Sequence, residues 1–323
     1  MPKIYYTAEN YKGIYENINT TKEEHILCRK LDLYRSIITV GNPSFFNWKD
    51  VRNNGFLRTL SNSIIQKVLL VQANIESNPN EICLHPIFNG YVSDQKRIVS
   101  YNLGMAVAKL YAEKLLEIPN LIHVESLKKI DAITFVNKIE KSQEPDLVGM
   151  TSNGEWHVFE AKGTSSIYLN GKINEAKEQA RQVETIHGIN PSTISACATS
   201  FTMNKIFSKI VDPKGEKGKE IEIDVEKFYE NYYLPFFAIQ ESSNLISKKS
   251  KIDDLEINSF EISTNNLNLT FGLTTEIYEL LQEKNFKEIN KYYNKNKFRK
   301  NDSIRKNRPS IGIDGFILKY TNY

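Results

Sequence analysis

The chain has 323 residues, 40% hydrophobic and 25% charged, and its 42 Lys and Arg against 39 Asp and Glu give a formal net charge of +3. This is an ordinary globular composition, with enough apolar sequence for a sizeable core in no more than two or three domains, and it excludes a polycation. Three distant cysteines (Cys28, Cys83, Cys197) form no disulfide framework, five histidines show no zinc-ligand spacing with them, and the longest apolar runs, such as 68–71, are too short to span a bilayer. No apolar segment follows Met1-Pro2-Lys3, so the expected location is cytoplasmic, with no membrane partner.

Residues 1–100 are mixed and rich in Asn and aromatic residues. The stretch 61–71 fits a helix or a strand, and the polar stretch 74–81, with Pro79, reads as a loop. No recognition motif is legible here, so this region is assigned to recognition, assembly or extension of the sheet. A helix is expected from Leu103 to Glu117, with Lys109, Glu113 and Glu117 on a polar face that reads as solvated. A strand follows at 122–127 or 131–136.

Residues 145–165, PDLVGMTSNGEWHVFEAKGTS, are the most informative of the chain. Asp146 ends a loop and opens an apolar run, and Asn153-Gly154 signals a tight turn. A second β-rich run ends in Glu160-Ala161-Lys162, with Gly163 behind it. A two-residue Asn-Gly loop would set Asp146 opposite Ala161 and turn its side chain away from Glu160. A three-residue loop, Ser152-Asn153-Gly154 with Gly154 in the left-handed bulge position, sets Asp146 opposite Glu160. Glu160 and Lys162 are two apart on one strand and share a face. If the two acids act together, the three-residue loop, or an equivalent bulge, is therefore expected. Two carboxylates and an ammonium at adjacent strand ends can hold a divalent metal and activate a water beside a phosphodiester. The plainer alternative is a surface hairpin with a Glu–Lys pair. Charges at the end of an apolar strand are costly unless paired or metal-bound, which favours a site. Glu175-Ala176-Lys177 repeats the spacing in a helical context, and Asp212-Pro213-Lys214 enters a loop, so both are set aside. His157 falls on the opposite face from Glu160 and is read as structural.

Downstream, Ile173, Ala176, Ala180, Val183 and Ile186 predict a helix over 172–187, closed by Gly188 and Pro191. Strands are expected at 192–199 and 205–211, then a lysine-rich loop at 212–219 that lacks the spacing of a phosphate loop. Asp224 caps a helix from Val225, whose Phe228, Tyr229, Tyr232 and Tyr233 read as core. Residues 241–256 read as loop, 267–271 as strand, 274–284 as helix, and 314–320 as a turn and strand returning to the body. Between them, 284–308 is strongly basic, with Tyr292, Tyr293 and Phe298 interleaved. Lys291, Lys295, Lys297, Arg299 and Lys300 are expected to follow a phosphate backbone, with the rings available for stacking. The alternative is a solvated connector.

Pro145-Asp146, thirteen intervening residues and Glu160-Ala161-Lys162 resemble the PD-(D/E)xK nuclease superfamily, which includes restriction endonucleases, repair nucleases and junction resolvases. The resemblance covers residues 101–210 and implies an α/β fold. Its mixed central sheet with flanking helices would carry a restriction-endonuclease-like core in the order helix, three strands, helix, strand, with extensions at 1–100 and 211–323. It further implies a metal-dependent nuclease, most readily a DNA endonuclease of restriction or anti-phage defence type. Asp146, Glu160 and the Ala161 carbonyl would hold Mg²⁺, with Mn²⁺ as a substitute. Lys162 would orient and help deprotonate the attacking water, and Gln179 would support it, with Gln182 competing for that role. Some members add a glutamate from the first helix, for which Glu113 is the candidate. The products would be a 3′-hydroxyl and a 5′-phosphate. Double-strand cleavage would call for a homodimer, and a defence system for a partner subunit. The alternative function is a non-catalytic nucleic-acid-binding or assembly subunit that retains the fold.

Overall fold

The computed structural model describes residues 2–40, 56–136, 143–215, 218–242, 248–252, 254–264, 267–296 and 308–321. In chain order the elements begin with β1 (Lys3–Glu9), β2 (Glu24–Leu27), α1 (Lys30–Thr39), α2 (Phe56–Asn74), β3 (Ile75–Ser77), β4 (Ile82–Leu84) and α3 (Ser93–Leu115). The central part holds β5 (Ile122–His123), α4 (Val124–Lys129), β6 (Ile133–Phe135), β7 (Leu147–Met150), β8 (Trp156–Thr164), α5 (Asn170–Ala180), β9 (Val183–Ile186), β10 (Thr193–Phe201), β11 (Ile206–Val211) and β12 (Lys219–Ile223). The last part comprises α6 (Val225–Ser242), β13 (Lys248–Ile252), β14 (Leu255–Thr264), β15 (Leu267–Thr274), α7 (Thr275–Gln282), α8 (Phe286–Asn296), β16 (Ser310–Ile311) and β17 (Phe316–Tyr320).

The fold is mixed α/β. Its principal sheet runs β2-β1-β11-β10-β8-β7-β5. β1 is parallel to β11 and β8 to β10, while the other neighbours are antiparallel. The N-terminal region thus supplies two strands of the sheet that carries Asp146 and Glu160. A second sheet, β6-β12-β9, and a third, β13-β14-β15-β17-β16, adjoin it, and β3 and β4 form a hairpin. α3 and α5 both pack on β8 and β10. One apolar core runs from Ile4 to Leu318, with a small satellite of Ile252, Ile257 and Ile317 in the third sheet. Among the described residues, no helix is long and apolar enough to cross a membrane.

The hairpin register follows the turn chemistry. Leu147 pairs with Phe159 and Met150 with Trp156, which carries Asp146 opposite Glu160. Gly154 sits at φ +81, and its N–H donates to the Thr151 carbonyl at 3.0 Å, closing a three-residue loop.

Several expectations are corrected. The predicted helix 172–187 ends at Ala180, and Val183–Ile186 is a strand parallel to β12. β-branched Val183, Thr185 and Ile186 suit a strand, and the two apolar ends of that strand happened to continue the helical spacing. The stretch 61–71 is helical, within α2. The predicted loop 74–81 contains β3, and the predicted loop 241–256 contains β13. The latter is an edge strand of Lys and Ser paired to β14 only, so it carries no apolar alternation to read. Lys109 and Glu113, read as solvated, are 0% and 4% exposed. Tyr292 and Tyr293, expected as stacking rings, are on the buried face of α8. The cap of α6 is as expected, with the Lys227 N–H donating to Asp224 Oδ1 at 3.1 Å, and its aromatic residues are core.

Candidate active site

Asp146 precedes β7 and Glu160 lies within β8, and the two backbones exchange hydrogen bonds with the two carboxylates. The Asp146 N–H donates to Glu160 Oε2 at 2.8 Å, and the Ala161 N–H donates to Asp146 Oδ2 at 3.1 Å. Each strand therefore fixes the acid of the other, which holds both carboxylates at one end of the hairpin. Glu160 is 1% exposed, whereas Asp146 is half-buried. Burial, then the neighbouring Asp146 charge, pushes the Glu160 carboxyl up to about 8, with Lys162 and the Asp146 N–H acting in the other direction.

Lys162 shares the Glu160 face, and its Nζ donates both to Glu160 Oε1 and to Gln179 Oε1. Gln179 lies on α5, and its amide in turn donates to Gln143. The four side chains Asp146, Glu160, Lys162 and Gln179 are thus joined in one hydrogen-bonded chain that includes backbone links. Gln182 is not part of it, since it lies in the turn after α5 and its amide donates back to the Glu178 carbonyl. The set-aside motifs lie elsewhere: Glu175 pairs with Lys172 on an exposed face, and Asp212 accepts the Ile194 N–H at 2.8 Å. Glu113 is turned away from the site and paired with Arg35. His157 is fully buried, with Nδ1 2.9 Å from the Thr193 hydroxyl.

The helix on the other face is set by glycine. A Cβ on Gly163 would lie 1.8 Å from the Ser100 carbonyl oxygen of α3, and one on Gly104 would meet Gly163 at 3.0 Å. The glycine after Lys162 thus lets α3 lie directly on the site strand, and this brings Tyr101 into the electrostatic field of Asp146 and Glu160. Because the obstacle is backbone, Gly163→Ala must push the helix away. The expected loss is about 1–3 kcal/mol or more, read as a lower melting temperature. An unchanged melting temperature would show that the close approach is not needed.

The basic segment is placed at the other end of the hairpin. Asn294 of α8 accepts the Ser152 hydroxyl at 2.7 Å, so the helix docks on the turn. Lys291 and Lys295 are exposed on α8, with Lys291 at 2.6 Å from Glu288 and Lys295 at 3.5 Å from Glu276. Lys297, Arg299 and Lys300, together with Phe298, lie outside the described residues.

Sequence reading missed three members of the neighbourhood. Tyr101 lies two residues before the predicted helix start, and Gln143 and Glu144 precede the motif. Glu144 pairs with Lys128 at 2.8 Å and Lys219 at 3.2 Å. None has a local signal, because each arrives through tertiary packing. Among the described residues, no three His, Cys, Asp or Glu side chains gather as a metal-binding group. The oxygen donors at hand are two carboxylates and nearby backbone carbonyls. Compared with known proteins, the chain matches no family model, no curated protein and no solved structure.

Proposed function

We propose that the chain is a metal-dependent nuclease of PD-(D/E)xK type that hydrolyses phosphodiester bonds, with DNA the favoured substrate. The observation that carries this reading is the reciprocal locking of Asp146 and Glu160 beside Lys162. Two carboxylates are driven together at a strand end where a structural role would disfavour their joint ionisation. Once α4 and the second-sheet strands β6 and β9 are set apart, the order α3, β5, β7, β8, α5, β10 on the principal sheet also supports it, since this is the order the resemblance implies.

The residues fit a hard divalent cation. The Glu160 carboxyl is held above its usual range by burial and by Asp146, so a positive charge placed between the two acids would relieve both. Carboxylate and carbonyl oxygens suit Mg²⁺, with Asp146, Glu160 and the Ala161 carbonyl as its ligands. When bound, the ion would polarise the phosphate and lower the pKa of a water in its shell. Lys162, as the ammonium, would orient that water and stand against the charge that develops on the phosphate, the water's proton passing to bulk solvent. Gln179 keeps the lysine Nζ on the substrate side, and Gln143 holds the glutamine amide.

The test is incubation of the full chain with supercoiled and linear DNA in Mg²⁺ or in EDTA. Nicking or linearisation that EDTA abolishes is the expected result. The Lys162–Glu160 ion pair is what a non-catalytic nucleic-acid-binding or assembly subunit would use in place of a metal. DNA binding without cleavage and without calorimetric Mg²⁺ binding would favour that second reading.

Metal binding should release a proton. With the Glu160 carboxyl at about 8 in the metal-free fold and 4.5 unperturbed, the native chain carries a proton through this window that the unfolded chain has lost. Its contribution to stability therefore falls as pH rises from the lower value to the higher, and Mg²⁺ affinity rises over the same interval. Titration calorimetry at pH 7 in two buffers of different ionisation enthalpy should differ by about one proton per ion. Buffer-independent heats would contradict the protonated Glu160.

If α8 follows the phosphates, replacing Lys291 or Lys295 by Ala should flatten the log–log salt dependence of duplex binding by about 0.9 per lost contact. An unchanged slope would remove α8 from the interface.

A further inference from the structure

A cavity of about 210 Å³ opens beside the carboxylates, between α1, α2, α3 and α4. It adjoins the site through backbone. The Val124 N–H donates to the Asp146 carbonyl at 3.0 Å, and His123, on the cavity wall, pairs with Leu147. Tyr101 stands between the two, lining the cavity while its phenol feels the charges of Asp146 and Glu160.

The lining is of two kinds. Ile37, Val40 and Met105 make an apolar floor, and the Tyr101 ring, 46% exposed, forms one lip. Asn102, His123 and Ser126 supply polar groups around that floor. The charges do not make a phosphate site. Lys129 is held by Glu125 at 2.8 Å, and the Glu125 carboxylate would repel an anion. The Lys67 amine donates to the Val40 carbonyl at 3.4 Å, and burial lowers its pKa to about 8. An apolar floor, an aromatic lip and a few convergent amide and imidazole groups are what a flat heteroaromatic ring needs. The volume lies below the roughly 300–1,000 Å³ of pockets that take whole drug-sized ligands. It suits one ring system rather than a nucleotide.

We propose that this cavity receives a single unpaired nucleobase from the substrate strand, next to the phosphate held at Asp146 and Glu160. The inference rests on the nuclease reading and deepens it: the nucleotide beside the cleaved bond must be out of the helical stack, so the substrate is single-stranded at that position or is made so on binding. Stacking on Tyr101 would be sequence-tolerant; the Asn102 Nδ2 donates to the Ile98 carbonyl at 2.9 Å, so its Oδ1, with the His123 imidazole, would read the base edge.

The test uses the full chain carrying Lys162→Ala, in Mg²⁺, so that the ion is present at Asp146 and Glu160 and binding is read without cleavage. The probes are a short single-stranded oligodeoxynucleotide carrying 2-aminopurine at successive positions, and its duplex. Binding is followed by anisotropy and by 2-aminopurine emission. The single strand should bind about tenfold more tightly, within the range that stacking one base is worth, with altered emission at one position. Asn102→Trp, which fills the cavity from its rim, should remove that preference and the emission change while leaving duplex binding intact. Tyr101→Ala should weaken single-strand binding without a change in melting temperature. Equal affinity for both forms, or a preference that survives Asn102→Trp in a folded variant, overturns the proposal while leaving the nuclease reading in place. Failure to bind either form overturns both.

Discussion

Lys162→Ala should lower phosphodiester cleavage by at least about 10³-fold, the scale seen when one preorganised charge-stabilising donor is removed from an active site. The chain should stay folded, because the lysine is 23% exposed and its partners are Glu160 and Gln179 rather than the core. DNA affinity should be little altered. Mg²⁺ affinity should change only slightly, since two effects oppose each other. Loss of the ammonium makes Glu160 harder to ionise, but it also removes a cation that competes for the same oxygens. The internal control is Lys177→Ala, which ends the second Glu-Ala-Lys of the chain. Glu175, its first member, pairs with Lys172 on an exposed face, so cleavage should persist at the normal rate. The measurement is single-turnover cleavage with saturating enzyme, alongside calorimetric Mg²⁺ titration. Normal cleavage by Lys162→Ala would remove the lysine from the chemistry. Equal losses from Lys162→Ala and Lys177→Ala would mean that the effect is not specific to the hairpin.

The site was legible because its geometry is local. Asn153-Gly154 marks the turn, strand alternation puts Glu160 and Lys162 on one face, and the choice of a three-residue over a two-residue loop, made so that the two acids meet, sets Asp146 opposite Glu160. Gln179 was named only through the resemblance, and α5 brings its Oε1 to the Lys162 amine. What could not be read is whatever depends on distant partners. Polar residues on α3 look solvated until Arg35 from α1 and Asp314 from the C-terminal turn are packed against them. Lys248–Ile252 has no apolar alternation, and it is held to β14 by the backbone ladder, the Ser250–Ser259 hydroxyl contact at 3.2 Å and the single apolar residue Ile252 packed with Ile257. The tyrosines of α8 are interleaved with lysines in sequence yet separate cleanly by face once the chain is helical. Tyr292 and Tyr293 go inward, while Lys287, Lys291 and Lys295, four apart, go outward. A charge run with rings therefore says little about which groups a ligand could touch until its period is known.

The largest effect on stability is expected from Arg35→Ala. Arg35 is 1% exposed and donates to both oxygens of Glu113, at 2.9 and 2.8 Å, while its Nη1 lies 3.7 Å from Asp314 Oδ1. Lys109 is 3.7 Å from Glu113 and 3.6 Å from Asp314, and donates to the Pro119 carbonyl. Two cations and two carboxylates thus balance where water is excluded. Burial works against the Glu113 charge, but Arg35 and Lys109 outweigh it and hold the carboxyl below its usual range. Burial dominates at Asp314 and raises its carboxyl. The cluster also orders the chain ends: Tyr232 donates to Asp314 Oδ2, the Phe316 N–H donates to Asp314 Oδ1 at 3.1 Å, and the Ser310 hydroxyl links Arg35 to Asp32. Removing Arg35 leaves two buried carboxylates facing one ammonium, a loss of about 3–5 kcal/mol for a broken buried pair. Replacing Arg35 and Glu113 together by apolar residues should cost much less than the sum of the single changes, because no charge is then stranded at that pair. Chemical denaturation of the two single variants and the double variant measures the coupling. Additive losses would show that the four charges contribute independently. A loss under about 1 kcal/mol for Arg35→Ala would place the pair in the class of surface ion pairs and contradict its burial.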